Sequence, residues 1–326
     1  MTAGMSNIAA QTLSAAPIEL TLREELAHGD AMIGTIAPIL RHLLANDEHS
    51  VFSDEILASL RSMMNHVARQ LLDELNTAAG TPDQRDHAPA QLAALVDGFV
   101  GHPGFLSHVH ALALEWKLAL RMEARLALDP VMSPLLQALV SSPDQQVAAS
   151  SMALLASQAR FAQTQRRMQL PLMELPGDLL HAALVALRGL AGDDQDTLAL
   201  HAAAELAIRE RYDESRTRLG LISRLVTGMG GGATAALSVT HAGVPMFLSA
   251  LALASGQDRD MAVLATNEGQ VARLALALRA AGQRPQAVEE QFSSLHPEVT
   301  LPEGFENLST DHAAALLARS AAYPGS

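Results

Sequence analysis

The chain has 326 residues, 49% of them apolar and 17% charged, with a net charge of −13 and no cysteine. That length and composition describe a folded chain with a sizeable core and exclude a disordered one. The acidity argues against general nucleic-acid binding, and the lack of cysteine excludes thiol nucleophiles, disulfides, iron–sulfur ligation and cysteine zinc sites.

Aromatic residues make up only 3%, so the core must be built from Leu, Ala, Val and Met. Ala and Leu are strong helix formers, and the scarcity of aromatic and β-branched residues works against strands, so the expected fold is all-α. Residues 1–17 read as a mobile leader. The first 22 residues contain no Lys or Arg and no continuous apolar run, so no secretory signal is expected and the location expected is cytoplasmic. Residues 18–142 read as an acidic helical region, since residues 1–142 hold 16 acids against 8 bases. Within it, 30–46 and 53–80 pattern as a helical pair. Ile56, Leu60, Met63, Met64, Val67, Leu71 and Leu75 share one stripe, Ser53 suits the N-cap and Gly80 the stop. Residues 81–89 read as a loop, and helices are expected near 89–100, 104–128 and 130–141.

Residues 143–326 read as a C-terminal region of helical pairs. Ser142 is placed to cap a helix whose apolar face is Val147, Met152, Leu155, Ala159 and Ala162. Pro171 and Pro176 keep 169–176 from regular helix, yet the segment is apolar, which predicts an extended stretch over a hydrophobic groove. Asp178 then opens a helix with Leu179, Leu180, Ala183, Leu184 and Leu187 on one face. In 205–224, alternating Glu and Arg at i, i+3 and i, i+4 read as a solvated helix face.

Two stretches, 152–192 and 256–283, resemble an uncharacterised bacterial all-helical family with HEAT-like helical pairs. The resemblance covers roughly residues 140–290. It implies stacked antiparallel helical pairs with a solenoid-like C-terminal part, and it implies no activity and no site residue.

Few residues carry recognisable chemistry. Gly228, Gly230, Gly231 and Gly232 lie in "GMGGGATAA", which matches a nucleotide-cradling glycine pattern in spacing. A helical pattern precedes it where a strand is required, and no acid follows before Asp258. The run reads as a helix stop with a turn, the other reading being a backbone nest for an anion. Residues 225–257 carry no formal charge, but His241, Gly243 and Pro245 interrupt them, which favours a buried helical hairpin with His241 in its core or turn. His108 and His110 are two apart and point to different helix faces, and His102 precedes a Pro-Gly turn. Asp73-Glu74 and Asp193-Asp194 read as solvated helix ends. The only lysine, Lys117, follows no glycine-rich loop. No cofactor and no metal site is expected.

Arg160, Arg166 and Arg167 are the only charged residues between Asp144 and Glu174. In an acidic chain they form a cationic island, read either as complementing a helix dipole or as a contact for a protein partner or anion. The leading expectation is a non-catalytic protein-interaction or regulatory scaffold with an as yet undefined protein partner. The alternatives are a small-ligand binder or enzyme with a buried apolar pocket, and peripheral membrane association through 233–255.

Overall fold

The computed structural model describes residues 3–45, 54–82, 87–192 and 194–320, with side chains from Ile18 to Leu44 in the first of these segments. It is all-α, with no strand among the described residues. The first four helices are α1 (Ala3–Ala45), α2 (Asp54–Ala78), α3 (Pro89–Gly101) and α4 (Pro103–Leu126). The middle of the chain forms α5 (Pro134–Val140), α6 (Gln145–Arg166), α7 (Gly177–Arg188), α8 (Gln195–Arg211) and α9 (Arg218–Gly228). The last part forms α10 (Val239–Ser255), α11 (Arg259–Leu264), α12 (Val271–Ala280), α13 (Pro285–Leu295) and α14 (Thr310–Arg319).

The segment expected as a leader is helical from Ala3, continuous with the helix expected from residue 30. It is rich in alanine, the strongest helix former, which favours continuing the helix through it. The α2 stripe is buried as the spacing predicts, from Ile56 through Leu71, with Leu75 packed against its edge. Gly80 stops the helix at φ +76°, where Thr81 N–H reaches back to the Asn76 carbonyl at 2.9 Å. Ser53, Asp193 and residues 83–86 lie outside the described residues.

Capping chemistry explains most of the other boundaries. His102 caps α4, its Nδ1 accepting from Phe105 N–H at 3.1 Å. The expected cap at Ser142 moves to Asp144, whose carboxylate accepts from both Gln146 and Val147 N–H, at 2.8 and 3.2 Å. A carboxylate satisfies two orphan donors at once and complements the helix dipole, so it displaces the serine. Residues 205–224 are not one helix. They hold the end of α8, a 3-10 turn at Glu214–Arg216 and the start of α9.

Two apolar clusters form the core. One gathers α2, α3 and α7 with Ile208 of α8, around Leu60, Met63, Phe99, Phe105 and Leu184. The other gathers α9 to α14 around Phe247, Leu251, Leu276 and Phe292. α4 belongs to both, giving Phe105, Leu106, Val109 and Leu112 to the first and Leu118, Ala119 and Met122 to the second. α1 also spans them, with Ile18, Leu22 and Leu26 in one and Leu40 in the other. The packing therefore does not follow a boundary at 142/143, because α7 and α8 bury their faces against α2 and α3.

No single described helix is long and apolar enough to cross a membrane. The apolar stretch near 240 is bent by 112° between the 3-10 turn Gly230–Leu237 and α10. α10 is itself kinked at Gly243, where φ is +74°, and from Ala242 to Ala252 it is buried. Of the two placements expected for His241, core or turn, the core is not the one found: His241 is exposed in the first turn of α10, two residues before the Gly243 kink.

Candidate functional site

α6 is where the sequence pattern and the structure diverge most. Only part of its expected apolar face is buried: Ala162 is buried and Val147, Leu155 and Ala159 are half-buried. Met152 is 52% exposed, while Ser151, Ser157, Gln158 and Gln165 are buried. Met152 falls on the solvent side because the buried positions of α6 run through Ser151, Leu154, Ser157, Gln158, Ala162 and Gln165, and part of what they meet is polar.

That polar part centres on Glu115 of α4, which is fully buried. Arg218, the first residue of α9, grips it in a two-pronged pair, Nη1 to Oε1 at 2.7 Å and Nη2 to Oε2 at 3.1 Å. Arg259 of α11 reaches Oε2 at 2.9 Å from another direction and donates through Nε to Ser249 Oγ at 2.9 Å. Burial pushes the Glu115 pKa up, but the charges and hydrogen bonds of Arg218 and Arg259 outweigh it and hold the carboxyl at about 2. The Arg218 guanidinium lies over the Phe161 ring at 3.6 Å, which fixes its second face. Arg218 thus does not belong to a solvated face as the Glu/Arg alternation suggested. Arg209 does pair with Glu205 at 2.8 Å, i to i+4, as that alternation predicts.

Beside this ion cluster is a cavity of about 350 Å³. α6 turns into its lid through Met168, a non-glycine residue at φ +53°, with Gln169 N–H bonded to the Thr164 carbonyl at 2.9 Å. The chain then crosses as a strap, 169–176, extended apart from a 3-10 turn at Leu172–Glu174. Leu170, Leu172 and Leu175 are buried in the α2/α3 cluster, so the expected extended apolar stretch is largely as read. Side chains hold the strap in place. Gln70 of α2 donates to the Leu170 carbonyl at 3.0 Å and accepts from Leu172 N–H at 2.9 Å. The Tyr212 hydroxyl donates to the Leu175 carbonyl at 2.8 Å, and its pKa is raised to about 12 by burial and the acids around it. Glu174 accepts from Arg218 N–H at 2.7 Å.

The cavity has an apolar body and a polar lining. Leu112, Phe161, Leu170, Met173 and Leu219 supply the apolar walls. His108, Ser157 and Gln165 also line it, each at most 4% exposed. His108 Nε2, Ser157 Oγ and Gln165 Oε1 have no hydrogen-bond partner. On its other nitrogen, His108 Nδ1 lies 3.4 Å from Asp260 Oδ1. His110, two residues on, is also buried, and burial pulls its pKa down to about 4 against the opposing pull of Asp260. A wider groove of about 910 Å³ shares Glu174 and Leu219 with the cavity and has Gly228 on its wall.

No family model, no curated protein and no solved structure matches this chain. The site therefore has to be read from its own geometry.

The structure separates the three arginines of the cationic island. Arg160 and Arg167 line the cavity at its exposed rim. Arg166 does not line it and stacks over Trp116 at 5.9 Å. Residues seven apart lie on one side of a helix, and the intervening residue next to Arg167 is turned about 100° away, which explains the division. Gly228 ends α9, and Gly230, Gly231 and Gly232 begin the 3-10 turn that follows; Gly230 has φ +51°. A helix, and not a strand, precedes that glycine run. Glu74 pairs with Arg211 at 2.6 Å and Asp73 with His87 at 3.0 Å, so both acids have partners on other elements. Asp194 caps α8, accepting from Thr197 N–H at 2.9 Å. Among the described residues no group of three His, Asp or Glu is placed to hold a metal ion.

Residue chemistry alone did not single out Glu115, Arg218, Ser157 or His108 as one site. The available signal was the polar composition of one side of α6, where Ser151, Gln158 and Gln165 recur at helical spacing. A helix with little apolar face, held between two apolar clusters, has to bury polar groups.

Proposed function

We propose that this chain is a binding protein for a small amphipathic molecule, held between α4, α6, the start of α9 and the 169–176 strap. The observation that carries the reading is a cavity whose lining residues include His108, Ser157 and Gln165, each with a buried polar atom (Nε2, Oγ and Oε1) that has no hydrogen-bond partner. A buried polar atom without a partner costs about 1–3 kcal/mol, so three among the residues lining one space favour a ligand that completes them. The volume of about 350 Å³ falls within the roughly 300–1,000 Å³ typical of small-molecule sites, as does the pattern of apolar walls with a few polar groups.

Trp116 is the only tryptophan, and its ring meets Phe161 edge-on at 6.3 Å, one side chain from the cavity. Its fluorescence therefore reports occupancy. A screen of small amphipathic compounds should yield binders that shift Trp116 emission and raise the melting temperature. Ser157→Ala removes an unpaired hydroxyl from a helix interior. It should raise stability by about 1 kcal/mol while weakening those binders, a pairing of signs expected where a site holds unsatisfied groups. Loss of stability in Ser157→Ala, with binding unchanged, would count against the cavity as a site.

The second reading is an interaction scaffold of HEAT-like stacked pairs. Arg166 favours it, because this cation is exposed and stacked on Trp116 outside the cavity, an arrangement suited to a partner's carboxylate. Its test is retention of a partner from native lysate by wild type and loss by folded Arg166→Glu.

A further inference from the structure

We infer that the ligand is an organic acid, an apolar body carrying one carboxylate whose head sits between Arg160 and Arg167 at the rim. The inference rests on the cavity being a ligand site and adds the charge of the ligand and the end at which it is held.

The charges around the cavity carry it. The lining holds three arginines and one glutamate. Arg218 shares the Glu115 carboxylate with Arg259, and Glu174, which keeps its charge, accepts from the Arg218 backbone N–H, so the three arginines still outnumber the one lining acid. Neither Arg160 nor Arg167 has an ion-pair partner among the described residues. Two unpaired cations thus share one rim in a protein of net charge −13, in a stretch with no acid from Gln145 to Met173. A guanidinium fork matches a carboxylate in plane and spacing, and the pair is strengthened where apolar walls exclude water. The walls fit the rest of such a molecule, since Leu112, Phe161, Leu170 and Met173 lie inward of the arginines and are less exposed than they are. An ammonium head would face two like charges, and an alcohol would leave both guanidiniums without a counter-charge.

The test uses three probes with one body, octanoate, octanol and octylamine, titrated into the full chain at pH 7.5 and followed by Trp116 fluorescence and calorimetry. Octanoate should bind at least tenfold more tightly than octanol, and octylamine most weakly. In Arg160→Gln/Arg167→Gln octanoate should fall to the octanol level while octanol is unchanged. Both side chains are exposed, so helix content and melting temperature should hold. Arg166→Gln removes the same charge one residue away but off the cavity wall, and should leave octanoate binding intact. Equal binding of octanoate and octanol by wild type overturns the inference and leaves the cavity reading standing. Equal loss in Arg166→Gln and in the rim pair overturns the head-group position. Failure of all three probes to bind overturns both.

Discussion

Glu115 and His110 lie five residues apart on one helix and respond to burial in opposite ways. Glu115 keeps its charge because two guanidiniums replace the water it lost. Removing that charge leaves Arg218 and Arg259 facing each other without a counter-charge. Glu115→Gln preserves the volume, so its cost measures the charge alone, and about 3–5 kcal/mol is expected from breaking a buried pair on one side. Urea titration should show a lower midpoint with little change in slope. His110 has no such partner and stays neutral. Its folded pKa of about 4 lies below the ordinary 6.5, so between these values the unfolded chain binds more protons than the folded one. The stability from a neutral His110 is full above pH 6.5 and is lost as pH falls through 4, on the order of 3 kcal/mol in all. Glu115 contributes in the same direction but further down, above its ordinary 4.5 and lost toward about 2. Stability measured from pH 7 to pH 4.5 should therefore fall in wild type and fall less in His110→Leu, the buried His201 and His296, whose pKa values burial also lowers, supplying part of what remains.

At the scale of elements, periodicity reveals helices whose buried face is apolar and misses those whose buried face is polar. The stripes of α2 and α7 were legible to the residue, since each packs on hydrocarbon. The buried face of α6 was not, because Ser151, Ser157, Gln158 and Gln165 look like solvent-facing positions in any hydrophobic count. Arg218 was hidden in another way. Its neighbours Glu214 and Arg216 are exposed, and the carboxylate it pairs with is 103 positions earlier. Charge patterning points to the two rim residues Arg160 and Arg167 but equally to Arg166, which lies off the cavity. The interior of the site has no local signature. The α10 kink was partly legible, as Gly243 and Pro245 interrupt the apolar run. What the sequence does not show is why glycine is required there. A Cβ at Gly243 would stand 2.8 Å from Ser133 Cβ, at a φ of +74° that side chains rarely adopt. Gly243→Ala should therefore cost about 2–4 kcal/mol, combining backbone strain with the clash. A melting temperature close to wild type would mean that α10 straightens and releases Ser133, the cap of α5.

At the scale of the whole molecule, α4 and α1 decide whether two apolar clusters behave as one body. α4 has its first half in one cluster and its second half in the other, with the Glu115 ion cluster between them. Separating the clusters would expose one half of that helix and strand a buried carboxylate, so neither cluster can unfold while the other keeps its full interface. A chain of this length would ordinarily be open to stepwise unfolding. The shared helices predict a single transition instead. Trp116 sits on α4 at the seam, whereas far-UV dichroism averages over every helix. Denaturation followed by the two signals should give coincident curves with one midpoint, and Glu115→Gln should move both together. Two resolved midpoints would mean that the clusters part at α4 before either melts. The same coupling bears on cutting the chain. Residues 143–326 expressed alone would carry α7 and α8 without α2 and α3, leaving Leu180, Leu184, Leu187 and Ile208 uncovered, four large side chains at about 1.5–3 kcal/mol each. That fragment should aggregate or lose the dichroism of α7 and α8, and co-expression with residues 1–142 should restore it, because the missing surface is supplied by the other piece.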